Sequence, residues 1–272
     1  MNQKDKRFSK VVAIIDPQRM IQPALIKGEE VARNNDADLQ LYCCVYDEEL
    51  EGDRDAQQLE LDLTQEWIER LVAPARAAGL DITVDLEWNR EWRGAVVNAA
   101  TRNGADLLIK TASRHSAIGR RLMKTSDWLI LKEVKCNVLL VSATQTWKNK
   151  TLLAAIKLKP EDEPHERLNE RIIDLSHRIA EGAGLEMHAM TAYRGEDAYF
   201  DRQEFAGRCN LPRSRVHSAA GTPHHGIAKV AKEIGADVIV VGNPGEAAKS
   251  DTARMLIDQV NVDVFVVPYT QA

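Results

Sequence analysis

One seven-residue segment that occurs twice constrains this chain more than any other feature. Asn103-Gly104-Ala105-Asp106-Leu107-Leu108-Ile109 returns 131 residues later as Ile234-Gly235-Ala236-Asp237-Val238-Ile239-Val240. Each copy follows a helical pattern and runs into an apolar segment that reads as a buried strand. In a chain of 272 residues that offset implies two domains of one kind in tandem. Half the chain is a domain of ordinary size, long enough to bury its own core. A polar linker, about Ala143 to Lys150, places the domains at 1–145 and 146–272.

The rest of each half follows one order. Short apolar runs open them, Val11 to Asp16 and Leu152 to Lys157. A helix follows, with a stripe of Leu168, Ile172, Leu175 and Ile179 in the second half. Its counterpart is Ala24, Leu25, Gly28, Val31 and Ala32 in the first. Second strands are expected at Leu39 to Val45 and Leu185 to Ala192. The halves then diverge, with a long helix from about Ala56 to Ala78 against a poorly patterned stretch from Asp197 to Asn210. Third strands at Ile82 to Leu86 and Arg215 to Ser218 lead into matching third helices. Val96, Ala99 and Ala100 correspond there to Ile227, Val230 and Ala231. The closing strands are Asn137 to Val141 and Val262 to Val267. Alternating strands and helices with wholly apolar strands predict an α/β fold. Each half reads as a doubly wound, Rossmann-like domain with a five-stranded parallel sheet.

Composition narrows the task. A formal net charge of −5 argues against nonspecific nucleic-acid binding. The first ten residues hold no apolar core of a signal peptide, and no apolar run approaches the length needed to cross a bilayer. These patterns predict a soluble, cytoplasmic chain without membrane insertion. Cys43, Cys44, Cys136 and Cys209 contain no C-x-x-C pair and suit neither a disulfide framework nor a zinc site. His188, His217, His224 and His225 have no spacing that enforces convergence on a metal. No nucleophile elbow, P-loop or G-x-G-x-x-G is present, so no enzyme is supported by motif.

Several pieces together resemble the universal stress protein family in its tandem form. They are Ala13-Ile14-Ile15-Asp16-Pro17, Gly221-Thr222-Pro223, the Gly-Ala-Asp entry to the fourth strand, and Cys136-Asn137-Val138-Leu139-Leu140-Val141. Trp88-Asn89-Arg90 also fits the tandem subgroup. The resemblance covers almost the whole chain and implies the fold shared with adenine-nucleotide α-hydrolases. It implies pairing of the two domains through their last strands, with Val138 to Val141 meeting Val264 to Val267, and allows a further homodimer. ATP-binding members carry G-x-x-G, nine residues and G-[ST] after the fourth strand, and an Asp ending the first.

The two halves depart from that pattern in opposite ways. In the first, Asp16 is present and the spacing survives, but the four loop positions are Thr111, Arg114, Lys124 and Thr125. The loop also holds His115, Arg120 and Arg121, and reads either as a solvated basic loop or as an anion site built from side chains. In the second, Gly242, Asn243 and Gly245 keep the first glycines. Only four residues then precede Ser250 and Asp251, and Lys157 replaces the strand-one Asp. Trp88 and Trp92 flank the expected cleft of the first half. The resemblance thus implies a stress-response protein, regulatory or ligand-binding rather than catalytic. Two alternatives stay open: an ATP or adenine-nucleotide binder with at most slow ATP hydrolysis, and a sensor or carrier of another small anionic or apolar ligand.

Overall fold

A computed structural model describes residues 8–112, 126–142, 147–160, 162–193, 200–243 and 252–269, with nothing assigned to the side chains of 126–129. The chain divides into two compact units, Met1–Cys136 and Asn137–Ala272.

The first unit runs β1 (Lys10–Ile15), α1 (Pro23–Asn35), β2 (Asp38–Val45), α2 (Arg54–Ala77), β3 (Ile82–Trp88), α3 (Trp92–Arg102), β4 (Leu107–Thr111) and α4 (Ser126–Glu133). Its strands lie in the order β3-β2-β1-β4, with all registered pairs parallel. Val12 stands opposite Gln40 on one side and Leu108 on the other. The apolar runs do what a sheet covered on both faces requires: Leu107, Leu108 and Ile109 are each 0% exposed. Burying each contributes about 1.5–3 kcal/mol. Helix α1 presses close to the sheet at Gly28, where a Cβ would stand 3.2 Å from both Ala13 and Leu39 side chains.

The second unit opens with β5 (Asn137–Val141) and continues with β6 (Thr151–Ala155), α5 (Glu163–Ala183), β7 (Glu186–Tyr193), α6 (Arg202–Arg208), β8 (Val216–Ala220), α7 (Pro223–Ile234), β9 (Val238–Asn243), α8 (Thr252–Ile257) and β10 (Asp263–Pro268). Strands β8-β7-β6-β9-β10 are parallel neighbours. Strand β5, which closes the first repeat in sequence, pairs antiparallel with β10, Leu139 opposite Phe265. That ladder groups β5 with the second unit. The stripe Leu168, Ile172, Leu175 and Ile179 is buried along α5. The helix starts on Asp162, whose carboxylate accepts from the His165 backbone N–H, and ends on Gly184 at φ 62°. The poorly patterned stretch contains α6, started by Asp201 accepting from the N–H groups of Gln203 and Glu204.

The repeated segment has a structural cause. Gly104 and Gly235 sit at φ 58° and 65°, where α3 and α7 end. Ala105 N–H and Ala236 N–H then close onto Ala100 and Ala231 carbonyls at 2.9 and 2.8 Å. Each Asp next grips the start of its unit's first strand. Asp106 N–H donates to Lys10 O at 3.1 Å, while its carboxylate accepts from Ser9 N–H at 2.7 Å and Lys10 N–H at 3.2 Å. Asp237 N–H donates to Thr151 O at 2.9 Å, and its carboxylate accepts from Thr151 N–H at 3.1 Å and Asn149 N–H at 3.3 Å. The motif therefore fixes strand register at the end of the sheet opposite the ligand-binding edge.

Candidate functional site

A doubly wound sheet opens a crevice where strand order reverses, outside the carboxyl ends of its strands. The reversal falls between β1 and β4 in the first unit and between β6 and β9 in the second. Each reversal has a cavity, of about 340 Å³ and about 400 Å³ respectively.

In both units a buried amide side chain shapes the crevice by holding the peptide that follows strand one. Gln22, 3% exposed, accepts from Asp16 N–H at 3.2 Å and donates to Asp16 O at 2.6 Å and Arg19 O at 2.8 Å. Asn169, also 3% exposed, accepts from Lys157 N–H at 3.0 Å and donates to Lys157 O at 2.8 Å. Each amide gives the residue that follows strand one a donor and an acceptor, as a neighbouring strand would, and Gln22 donates once more to Arg19. Neither was singled out from sequence. The only available signal was a Gln just before the first helix of one half and an Asn within that of the other.

The first unit's cavity is the more polar of the two and carries most of the charged lining. The end of β1 supplies Asp16 and Arg19, β2 supplies Tyr42 and Cys44, and the turn after β3 supplies Asn89 and Arg90. Trp92 comes from α3, and Lys110 and Thr111 from β4. The Asp16 carboxylate is turned onto its own loop, accepting from Gln18 N–H and Arg19 Nε, both at 3.0 Å. Lys110 is 8% exposed; its ammonium donates to Thr111 O at 3.0 Å and lies 5.7 Å from the Trp92 ring centroid. Arg90 lies 5.8 Å from the Tyr46 ring. The Tyr42 hydroxyl is fully buried and makes no hydrogen bond of normal geometry. Burial, then Cys44 and Glu87, hold its pKa above the ordinary phenol value. Cys44 Sγ donates to Asn89 O at 3.2 Å, and burial pushes the thiol up to about 11. Of the described lining residues Arg19, Arg90 and Lys110 are cations; the one carboxylate among them, Asp16, is paired with Arg19, and Arg90 stands 3.7 Å from Glu51.

The second unit's cavity is mostly apolar, walled by Leu168, Ile172, Met190, Ile227 and Val241, with Lys157 and His165 among its polar lining. Gly242 lies at its edge, and the space beside it is filled. A Cβ there would stand 2.7 Å from Leu168 Cδ2 and 3.0 Å from Ile172 Cδ1. Asn243 ends β9 and is 4% exposed, its carbonyl accepting from Tyr269 N–H at 2.9 Å. Gly221 and Pro223 form part of the lining, and Lys157, in the Asp position of the resemblance, is exposed.

The structure thus gathers Asp16, Thr111 and Trp92 around the first cavity. Trp88 instead packs against Tyr46 with ring centroids 5.8 Å apart. Gly242 reaches the second cavity. Arg114, His115, Arg120, Arg121, Lys124, Thr125, Gly245, Ser250 and Asp251 lie outside the described residues. His188 and His217, left unconnected by sequence, face each other with ring nitrogens 2.9 Å apart. Among the described residues no group of three or more ligating side chains could hold a metal, and no helix is long and apolar enough to cross a membrane.

This geometry has a counterpart among known families. A universal stress protein family model matches residues 7–142 and again 152–268. The chain belongs to the universal stress protein family. It is 21% identical over 299 residues to universal stress protein E of Photorhabdus laumondii, covering 96% of this chain and 95% of that one. Against universal stress protein E of Escherichia coli K12 it is 23% identical over 301 residues, covering 96% and 94%. Among solved structures, a functionally unknown protein of Pseudomonas aeruginosa PAO1 matches with a TM-score of 0.78 at 21% identity, covering 98% of this chain and 95% of that one. A universal stress protein from Archaeoglobus fulgidus matches at 0.76 and 17%, covering 98% of both chains. These structures share the tandem universal stress protein fold.

Proposed function

We propose that this universal stress protein is a non-catalytic ligand-binding protein, and that its first unit takes a small anionic ligand. One observation carries the reading. Lys110, 8% exposed, and the buried Tyr42 hydroxyl, which lacks a normal hydrogen bond, both line the crevice at the strand-order reversal. A buried donor whose bond is poorly formed forfeits part of about 1–3 kcal/mol; Glu87 and Cys44 stand beside the Tyr42 hydroxyl, and an anion in the same crevice would offer it a better-placed acceptor. Arg19 and Arg90 supply further donors, each with a carboxylate, Asp16 and Glu51, within ion-pair distance, and Trp92 adds an aromatic wall. Thr111 stands at the first glycine position of the family's nucleotide loop, so a side chain occupies the place where phosphate would lie on bare backbone. That favours a small carboxylate or phosphate over a triphosphate. An adenine nucleotide is the alternative, supported by the position of the crevice alone.

The non-catalytic part of the reading rests on chemistry at the cavity. Cys44, the thiol lining it, is pushed up to about 11 and stays neutral at ordinary pH. We further propose a cytoplasmic protein with domains at 1–145 and 146–272, paired through β5 and β10. With the boundary at 145, β5 closes the first domain, and on that division the Leu139–Phe265 ladder supports the pairing.

A thermal-shift series with acetate, benzoate, inorganic phosphate and Mg-ATP tests the ligand class. A ligand at 100 times its Kd stabilises its site by about 2.7 kcal/mol. A shift with a small anion that is lost in Lys110→Met is the expected result. A shift with Mg-ATP alone would favour the nucleotide alternative.

A further inference from the structure

The β7–β8 side of the second unit carries titratable side chains in a row. Glu186 opens β7, His188 follows two residues later, and His217 lies on β8. Glu186 Oε1 is 2.9 Å from His188 Nε2, and His188 Nδ1 is 2.9 Å from His217 Nε2. The two rings lie within 18° of parallel, with centroids 5.2 Å apart. At that separation the facing nitrogens point at each other, so the rings are hydrogen-bonded end to end. A metal would need both lone pairs aimed at a third point and further ligands. The row is suited to holding protons.

Counting hydrogens shows how many. An ionised carboxylate only accepts, so His188 Nε2 carries a hydrogen. With both rings neutral, His217 Nε2–H donates to His188 Nδ1. One added proton, on His217 Nδ1, leaves both bonds intact: the hydrogen between the rings passes to His188 Nδ1, so the first charge sits on His188 beside Glu186 and the second falls on His217. A second puts N–H groups on both facing nitrogens, breaking the bond and setting two cations against each other. The surrounding charges are Arg215, whose guanidinium is 2.8 Å from Glu186 Oε2, Arg202 on α6, and Glu233 on α7. Burial, then His188 and Arg202, hold the His217 imidazole below its ordinary range, against Glu233.

We propose that Glu186, His188 and His217 form an acid-responsive latch that ties β8 to β7 and opens when both imidazoles are charged. The latch reaches the second cavity through register. His217 stands opposite Met190, and Ala219 opposite Ala192; Met190 and Ala192 both line that cavity. Strand β8 then runs into Gly221 and Pro223, which line it as well. Opening the latch therefore loosens one wall of the cavity. The sign follows from the lowered His217 value. The folded state binds fewer protons than the unfolded chain, so the latch's contribution is complete above the ordinary imidazole pKa of about 6.5. It is lost as pH falls from there through the folded value.

Amide hydrogen exchange on the full chain between pH 7 and pH 5, expressed as protection factors, tests this. The latch predicts that residues 216–220 lose at least tenfold more protection than residues 238–241. It also predicts that His217→Gln, whose side chain still bonds His188 but takes no proton, abolishes that difference. Unchanged relative protection in the wild type, or an equal loss in His217→Gln, would overturn it. Should the variant not fold, imidazole NMR of the wild type decides. Two separated titration steps, the later one on His217 and below the ordinary range, support the latch. Two independent titrations at the ordinary value overturn it.

Discussion

Leu168 Cδ2 lies 2.7 Å from the place a Cβ would occupy on Gly242, with Ile172 Cδ1 at 3.0 Å. The glycine therefore lets α5 pack closely on the end of β9, and any larger residue would make the Leu168 and Ile172 side chains shift. In sequence the same residue reads as the first glycine of a phosphate loop. The apolar side chains against it make this end of the second cavity a poor seat for phosphate.

Gly242→Ala should accordingly destabilise the protein by about 1–3 kcal/mol, the usual cost of overpacking a tight site. Urea unfolding measures it. Adding Leu168→Ala should recover part of the loss, because the two side chains compete for one space and their effects do not add. Full additivity would mean that the clash is not the cause.

Asp237→Ala removes the acceptor for Thr151 N–H and Asn149 N–H, and Asp106→Ala does the same to Ser9 and Lys10. Each should cost about 1–3 kcal/mol of stability, with the Asn variants intermediate because one acceptor oxygen remains. Anion binding by the folded protein should be unaffected, since these residues act at the far end of the strands. A variant that stayed fully stable yet lost binding would contradict this assignment.

The thiols should be slow. Burial pushes Cys43 and Cys136 up to about 12, and Cys44 and Cys209 up to about 11. All four are neutral at pH 8, and the reactive species is the thiolate. Labelling by an aromatic disulfide at pH 8 should run at least tenfold slower in the native protein than in urea. Fast native labelling of Cys44 would reopen a redox role for it.

Much of the fold was legible because its causes are local in sequence. The stripe Leu168, Ile172, Leu175 and Ile179 specified α5, and the apolar runs specified the central strands. The repeated Gly-Ala-Asp was visible too, although its job, gripping the first strand through Asp106 and Asp237, needed the parallel register. The site was less legible because its causes are distant. Gly242 is explained by a helix that begins 79 residues earlier, at Glu163. His188 meets His217 across 29 residues. Gln22 and Asn169 act through backbone hydrogen bonds that leave no periodic mark. The α6 helix has little apolar stripe to announce it and is set by the Asp201 cap.

The proposed small-anion site of the first unit depends on Lys110 and Tyr42. Isothermal titration of the wild type, Lys110→Met and Tyr42→Phe tests it, using whichever of acetate, benzoate or phosphate stabilises the protein, with Mg-ATP as competitor. The expected result is one site, at least tenfold weaker binding in Lys110→Met, equivalent to about 1.4 kcal/mol, a smaller loss in Tyr42→Phe, and no displacement by Mg-ATP. Binding of Mg-ATP more tightly than any small anion, with affinity unchanged in Lys110→Met, would contradict it.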